Sequence, residues 1–323
     1  MRLENAIARL SALAVLVLAA EPLPAQAAYP ERNLDVIVPY AAGGGFDLYA
    51  RAVGRVMERH LGGGVSIIPR NLAGAAGTRG IVAMFKAAPD GYTFAILDLP
   101  GGMQPQILGE AVQYDLDKVA WLGVVNVGTY SLVVGRSSPF QTLESFRSGK
   151  PRLPFIATTG GNMLAAAKIA ATTLRTEARY LTGFQGGPDT HLAVMRGEAD
   201  AAMGIDLTIA RHLETGDLKR LVAFQRRGSR GAGAGVPTVD DIGHPELANL
   251  ALYRMFAAPP GLPGEVRGKL TAALQTALRD PELQKWSEAT GSPLDPGTPE
   301  DALHFYQEQK TFMLRHIEIL RAN

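Results

Sequence analysis

The residues best suited to chemistry form a glycine turn, Gly43, Gly44 and Gly45, between an apolar run and a helical pattern. Consecutive glycines let the backbone adopt conformations that other residues avoid, and they expose N–H groups beside the positive end of the following helix. Such N–H groups bind anions. The turn therefore predicts an anion site, although a glycine turn before a helix is also common as a plain tight connection.

The residues after the glycines narrow the class of anion. A phosphate-binding Walker loop ends in Lys and Ser or Thr, whereas Phe46 and Asp47 follow here. The run also lacks the last glycine of the Gly-x-Gly-x-x-Gly dinucleotide fingerprint. Nucleoside triphosphates and NAD are both disfavoured. We interpret Asp47 as an acceptor of N–H bonds at the start of its helix.

Other chemical signatures are weak. The sequence has no Gly-x-Ser-x-Gly elbow, no His-Glu-x-x-His and no complete calcium loop, so it predicts no catalytic residue. The absence of cysteine excludes thiolate metal sites, and we expect no metal and no cofactor. Among six histidines, only His191 falls near a predicted ligand edge, and Arg79 after the second turn is interpreted mainly as solvent-facing.

The elements that position these residues alternate between strands and helices. Strands are predicted at residues 34–38, 65–68 and 93–97, with a small-residue turn at 73–78 before the second helix. This alternation predicts a parallel sheet with covered faces, and ligands in such sheets bind beyond the carboxyl ends of the strands. Both small-residue turns fall on that edge.

A second region repeats the pattern, with strands predicted at 155–157, 178–181, 199–203 and 218–224. Apolar segments at 119–134 and 247–263 are interpreted as crossovers between two lobes. We therefore expect lobe 1 to comprise residues 28–125 plus 252–323, and lobe 2 residues 126–251. Thr298 is predicted to cap the last helix.

The first residues predict export. Arg2 and Arg9 precede an apolar stretch that ends before a small-x-small site at residues 25–27, as in a cleavable secretory signal peptide over residues 1–27. We expect a periplasmic protein. Lys plus Arg number 32 against 31 Asp plus Glu, and this balance gives no reason to expect a nucleic-acid partner.

Seven ordered motifs together resemble one family, the periplasmic solute receptors of tripartite tricarboxylate transporters, known in Bordetella as Bug proteins. They are "YPERNLDVIVPYAAGGGFD", "NLAGAAGTRG", "KAAPDGYT", "GFQGGPD", "RGEADA", "GDLKRL" and "GVPTVDDIG". The resemblance implies an α/β, two-lobed periplasmic binding fold of type 2, the Venus flytrap, in which each lobe is a mainly parallel sheet flanked by helices. It implies a small carboxylate ligand, integral-membrane permease subunits as partners, and a monomer that is not an enzyme.

The resemblance also implies the ligand-binding positions. The first lobe would contribute Tyr40, Ala42, Gly43, Gly44, Gly45, Phe46 and Asp47, with Ala75, Ala76, Gly77 and Thr78. The second lobe would contribute Thr158, Thr159, Gly160, Phe184, Gln185, Gly186 and Asp206. Backbone N–H groups and bridging waters would hold one carboxylate, and the lobes would close by a hinge motion.

Departures from the family pattern bear on the ligand. Phe46 replaces a hydroxyl residue, Ala42 replaces a proline, Ala76 replaces a glycine, Ala166 replaces a histidine, and Phe184-Gln185 replaces Tyr-Lys. These changes predict a ligand less polar than citrate, such as an aromatic or short aliphatic carboxylate. Three other readings stay open: a sensor for a signalling partner, an exported enzyme, and a binding protein of another transporter class.

Overall fold

The computed structural model describes residues 29–159, 161–184, 186–229 and 233–322, so the predicted signal peptide lies outside the described residues. The strands, in chain order, are β1 (Leu34–Val38), β2 (Ile67–Asn71), β3 (Thr93–Leu99), β4 (Ala120–Gly135), β5 (Phe155–Ala157), β6 (Arg179–Leu181), β7 (Ala201–Ile205), β8 (Leu218–Ala223) and β9 (Ala251–Ala258).

The helices follow the strands as the alternating pattern predicts. In chain order they are α1 (Gly45–Leu61), α2 (Thr78–Phe85), α3 (Gln104–Leu108), α4 (Leu143–Ser148), α5 (Gly161–Thr173), α6 (Gly187–Met195), α7 (Asp206–Glu214), α8 (Gly264–Arg279), α9 (Pro281–Thr290), α10 (Pro299–Arg315) and α11 (Ile317–Arg321). Short 3₁₀ helices lie at Ala75–Gly77 and Pro245–Asn249.

The strands form one mixed sheet in the order β2-β1-β3-β9-β4-β7-β5-β6, with β8 also paired to β4. Pairs β1–β2, β1–β3, β5–β6 and β5–β7 are parallel, as predicted. The crossover strands β4 and β9 instead pair antiparallel with their neighbours. The carboxyl ends of the parallel strands carry the predicted ligand turns.

Strand β4 belongs to both halves of the sheet. Its segment from Ala120 to Thr129 pairs with β9, and from Tyr130 onward it pairs with β7 and from Ser131 with β8. We call strands β2, β1, β3 and β9 with residues 120–129 of β4 the first half. Residues 130–135 of β4 with strands β7, β8, β5 and β6 form the second half. The predicted crossovers are therefore the two strands at the centre of the sheet.

Each half has its own hydrophobic cluster. The first-half cluster packs α1, α8 and α9 against β1, β3 and β9, and the second-half cluster packs α5 against β4, β5 and β7. The C-terminal helices reach both halves, because Tyr306 lies among first-half residues whereas Phe312 packs in the second-half cluster. The end of lobe 1 as predicted thus touches the second half as well.

Local predictions agree with the structure in most places. Thr298 caps α10 by accepting a hydrogen bond from the Asp301 N–H, as expected. The strands predicted from residues 65 and 199 each begin two residues later. Directly before β7, the Asp200 N–H donates to the Phe155 carbonyl, and the Asp200 carboxylate accepts the Phe155 N–H. None of the described helices is long and apolar enough to cross a membrane.

Candidate functional site

The glycine turn lies at the N-terminus of α1, as the sequence predicts. Residues 41–44 are exposed, and Gly43 has φ of 80°, a left-handed conformation that favours glycine. The N–H groups of Gly45, Phe46 and Asp47 have no hydrogen-bond partner among the described residues. This is the expected state of the first helical turn, and it leaves three donors directed at the same side of the turn.

Asp47 holds the turn in place. Its Oδ2 accepts hydrogen bonds from the Gly43 N–H at 2.8 Å and from Arg51 Nε at 2.9 Å, and its Oδ1 accepts from Asn71 Nδ2 at 2.9 Å. Burial raises the pKa of Asp47, but these three donors outweigh it and hold that pKa below its usual value. The structure therefore supports the interpretation of Asp47 as an N–H acceptor, and both its oxygens are occupied within the protein.

The second turn is strained. Ala75 has φ of 46° and Ala76 φ of 51°, so two consecutive alanines adopt the left-handed conformation at a cost of about 1–2 kcal/mol each. Both residues are exposed, and so is Arg79 after them. The family that the sequence resembles usually has a glycine at the position of Ala76. The positive φ at this position gives a physical reason for that preference.

Tyr40 connects the two turns. Its ring lies 4.5 Å from the ring of Phe46, and a Cβ added to Gly77 would lie 3.1 Å from its hydroxyl oxygen. The Tyr40 hydroxyl donates a 3.1 Å hydrogen bond to Asp98 Oδ2, at the end of β3. The Tyr40 side chain thus contacts the turn after β2 and the end of β3, the two strands that flank β1 in the sheet.

A row of polar side chains crosses the sheet beneath the first turn. Arg254 of β9 lies in register with Asp98 of β3 on one side and with Asn126 of β4 on the other. Opposed residues of neighbouring strands point to the same face, so the three side chains share the face that α1 covers. Sequence reasoning missed all three.

Arg254 is only 5% exposed. Its Nη1 donates a 2.5 Å hydrogen bond to Asn126 Oδ1, and its guanidinium carbon lies 4.9 Å from the ring centroids of Phe46 and Tyr49. Burial lowers the pKa of Arg254 from its usual value, an effect that nearby Tyr49 and Asp98 oppose. The side chain is a buried cation within cation–π distance of two aromatic rings.

Asp98 is 4% exposed and lies at the boundary between the halves. Its Oδ2 accepts a 2.8 Å hydrogen bond from Asn162 Nδ2, in the first turn of α5, in addition to the Tyr40 bond. Burial raises the pKa of Asp98 to about 7, against the opposing effects of Tyr40 and Arg254. A carboxyl group at this position titrates near neutral pH.

The second-half turns are described in part. Thr158 is buried and Thr159 half-buried, directly before α5, whereas Gly160, Gln185 and the side chain of Asp206 lie outside the described part of the chain. Phe184 is half-buried beside the cluster of Val194 and Ile209, and Gly186 is the residue before α6. Among the described residues, no hydrogen bond or ring contact joins Phe184 or Gly186 to the first-half turns.

His191 is a core residue of the second half. It is fully buried on α6, and burial lowers its pKa to about 4, so the imidazole is neutral at pH 7. A Cβ added to Gly204 of β7 would lie 3.4 Å from its Nε2, which places the ring against the sheet. The described residues contain no group of three or more residues arranged to hold a metal ion.

Phe46 packs against the hydrophobic clusters of both halves. The Phe46 ring centroid lies 4.9 Å from the guanidinium carbon of Arg254, at the junction of the halves. We call the region between the glycine turn, Asp98, Arg254 and the start of α5 the cleft.

The sequence did carry a signal for the missed residues. Asp98, Asn126 and Arg254 are single polar residues within the otherwise apolar runs "FAILDLP", "WLGVVNVG" and "LALYRMFAA". Burying a polar side chain is costly unless it is paired or used, so an isolated one in a central strand indicates a functional position.

Comparisons with known proteins identify a family and a fold. The sequence profile of a family named "Tripartite tricarboxylate transporter family receptor" matches residues 49–319. A UPF0065 protein of Bordetella bronchiseptica is 26% identical over 314 residues, which cover 95% of this chain and 92% of that protein.

Two solved structures from Rhodopseudomonas palustris are similar in fold. MatC with bound malate has a TM-score of 0.74 at 23% identity, with 91% of this chain and 100% of that chain covered. A second protein, solved with adipate, has a TM-score of 0.72 at 19% identity, with 90% and 98% covered. These likenesses confirm the predicted two-lobed periplasmic-binding-protein fold.

Proposed function

Because the chain belongs to the tripartite tricarboxylate transporter receptor family, we propose that it is a periplasmic substrate-binding protein that takes a small carboxylate between two lobes and delivers it to a membrane permease. The observation that carries the proposal is the first turn of α1, next to the exposed residues 41–44, where the N–H groups of Gly45, Phe46 and Asp47 have no partner in the described chain. Charge-assisted hydrogen bonds from such donors contribute roughly 1.5–3 kcal/mol each.

The lobes are residues 28–125 plus 252–323 and residues 126–251. The change in pairing of β4, between Thr129 and Tyr130, supports a boundary near this point. The hinge lies in β4 and β9, since these strands alone carry the chain through the centre of the sheet as described. Closure of the lobes would bury the ligand.

The remaining features of the proposal rest on the family and on the sequence. Residues 1–27 are a signal peptide that is removed near Ala27, and the exported protein is a monomer without a catalytic role. Malate and adipate in two structural relatives support a carboxylate as the ligand class. Phe46 and Phe184 favour a ligand less polar than citrate.

A thermal-shift screen tests the proposal. The purified protein is heated with mono-, di- and tricarboxylates, aromatic acids and amino acids; a ligand at a hundredfold excess over its dissociation constant adds about 2.7 kcal/mol of stability. Gly44→Glu places a negative charge in the turn and should abolish the shift, whereas Gly268→Glu on α8, where a side chain meets open space, should not. If no acid raises the melting temperature and the protein hydrolyses esters or amides, the receptor function is wrong and the protein is an enzyme.

A further inference from the structure

The Arg254 guanidinium presents an unused edge to the glycine turn. Nη1 is occupied by Asn126, but Nε is buried without a hydrogen-bond partner, and Nη2 forms no hydrogen bond within the described chain. A Cβ added to Gly45 would lie 3.2 Å from Nη2. A side chain at position 45 would therefore crowd this edge, and glycine leaves it clear beside the free N–H groups of α1.

Two parallel N–H groups on one guanidinium edge fit a carboxylate in bidentate fashion. Arg254 forms no ion pair with any described carboxylate, although Asp98 lies opposite it on β3. A buried charge that lacks a partner is strongly unfavourable, so a site of this kind is best explained by an anion that arrives with the ligand.

Asp98 offers the complementary group. Its Oδ2 has two neutral side-chain donors, Tyr40 and Asn162, and the Gly101 N–H also stabilises the carboxylate, whereas its Oδ1 is buried without a partner. An ionised carboxylate only accepts hydrogen bonds, so Oδ1 needs an N–H or O–H donor. Tyr130 and Arg254 are the other titratable groups that act on it, and neither is hydrogen-bonded to Oδ1.

We propose that Arg254 and Asp98 recognise two adjacent groups of one ligand: Arg254 binds a carboxylate through Nε and Nη2, and Asp98 Oδ1 accepts a hydrogen bond from an ammonium or hydroxyl group. Asp98 bonds the Tyr40 hydroxyl and the Arg254 guanidinium lies beside Phe46, whose ring contacts that of Tyr40, so we place the two ligand groups on the same or neighbouring carbons. The ligand is an amino or hydroxy acid, and Phe46 favours an apolar side chain on it. This assignment rests on the proposed function.

Matched acids of one skeleton test the assignment by calorimetry on the purified protein. The three probes are leucine, 2-hydroxy-4-methylpentanoate and 4-methylpentanoate, which differ only in carrying an ammonium, a hydroxyl or neither; the phenylalanine, 3-phenyllactate and 3-phenylpropanoate series repeats the comparison with a larger side chain. One charge-assisted hydrogen bond predicts at least about tenfold tighter binding of one substituted acid than of its unsubstituted analogue.

Variants of Asp98 and Arg254 test which residue causes the tighter binding of the substituted acids. Asp98→Leu should remove the preference, whereas Asp98→Asn keeps an acceptor without charge and should retain a preference for hydroxyl but not for ammonium. Arg254→Gln should weaken all acids in a series about equally. Two substitutions outside the cleft are the matched controls. Asp200→Asn changes a buried aspartate directly before β7 that pairs with Arg152, and Arg267→Gln removes a guanidinium that donates to the Trp121 carbonyl.

The outcomes separate two failures. If the unsubstituted acids bind as tightly as their substituted analogues, or Asp98→Leu keeps the preference, the assignment to Asp98 is wrong while the receptor function stands. If no acid binds the unmodified protein, the proposed function fails and the assignment with it. Should Asp98→Leu not fold, the comparison within each series on the unmodified protein decides, together with Gly45→Ala, which would crowd Nη2, against Gly268→Ala.

Discussion

Asn162 Nδ2 donates a 2.8 Å hydrogen bond to Asp98 Oδ2, and this contact joins the first turn of α5 to the end of β3 across the cleft. It connects the two halves of the sheet at the point where the glycine turn, Tyr40 and Arg254 also meet. A polar hydrogen bond therefore joins the two halves inside the cleft, and closure of the cleft over a ligand would affect it.

The first prediction concerns this bond. Asn162→Ala should favour separation of the halves and weaken ligand binding about tenfold to a hundredfold, because one hydrogen bond to a charged group contributes about 1.5–3 kcal/mol. Small-angle scattering of the ligand-free protein should show a larger radius of gyration. Asn33→Ala, which removes a hydrogen bond to the Ser66 N–H outside the cleft, is the matched control and should change neither quantity.

The second prediction concerns pH. Because burial raises the pKa of Asp98 to about 7, above the usual carboxyl value of 3.8, the folded state binds this proton more tightly than the unfolded state. Stability from this group is therefore complete below about pH 4 and falls as pH rises towards 7, by up to about 1.4 kcal/mol per pH unit. The unfolding free energy of Asp98→Asn, measured in urea, should lack this pH dependence. An identical pH dependence in both proteins would show that the pKa of Asp98 is not raised.

The third prediction concerns the anchor of the first turn. Asp47→Ala should lower the free energy of unfolding by about 2–4 kcal/mol, because it removes the acceptor of the Gly43 N–H and of Arg51 Nε and one of the two acceptors of Asn71 Nδ2. Asp35→Ala removes an exposed pair with Arg70 and should cost under about 1 kcal/mol. Equal losses for the two variants in urea unfolding would show that Asp47 has no special role.

The fourth prediction concerns the strained second turn. Ala76→Gly should raise the free energy of unfolding by about 0.5–1 kcal/mol, since glycine adopts a φ of 51° without a steric penalty. The same change at Ala83, within α2, should lower it by about 1 kcal/mol. A decrease at both positions would mean that the left-handed conformation at Ala76 is not maintained in solution.

The fold was predictable from the sequence where its causes are local. Apolar periodicity gave the alternating strands and helices, and the glycine turn and the Thr298 cap follow from residue types at short spacing. The Asp98–Arg254–Asn126 row was not predictable in this way, because cross-strand register brings together residues from three distant segments. Buried polar residues in apolar strands signal such a row, but only the pairing of β3, β9 and β4 shows which of them meet.

Strand β4 has a mechanical consequence. It runs through the sheet without a break and exchanges one set of hydrogen-bonded neighbours for another between Thr129 and Tyr130. Two bodies that share a continuous strand can turn relative to each other by changing its twist, but they cannot slide without rupturing its hydrogen-bond ladder. In the proposed closure, the relative motion of the halves would therefore be torsion about a short axis, and the side chains at 127–131, outside the ligand contacts, would set its stiffness.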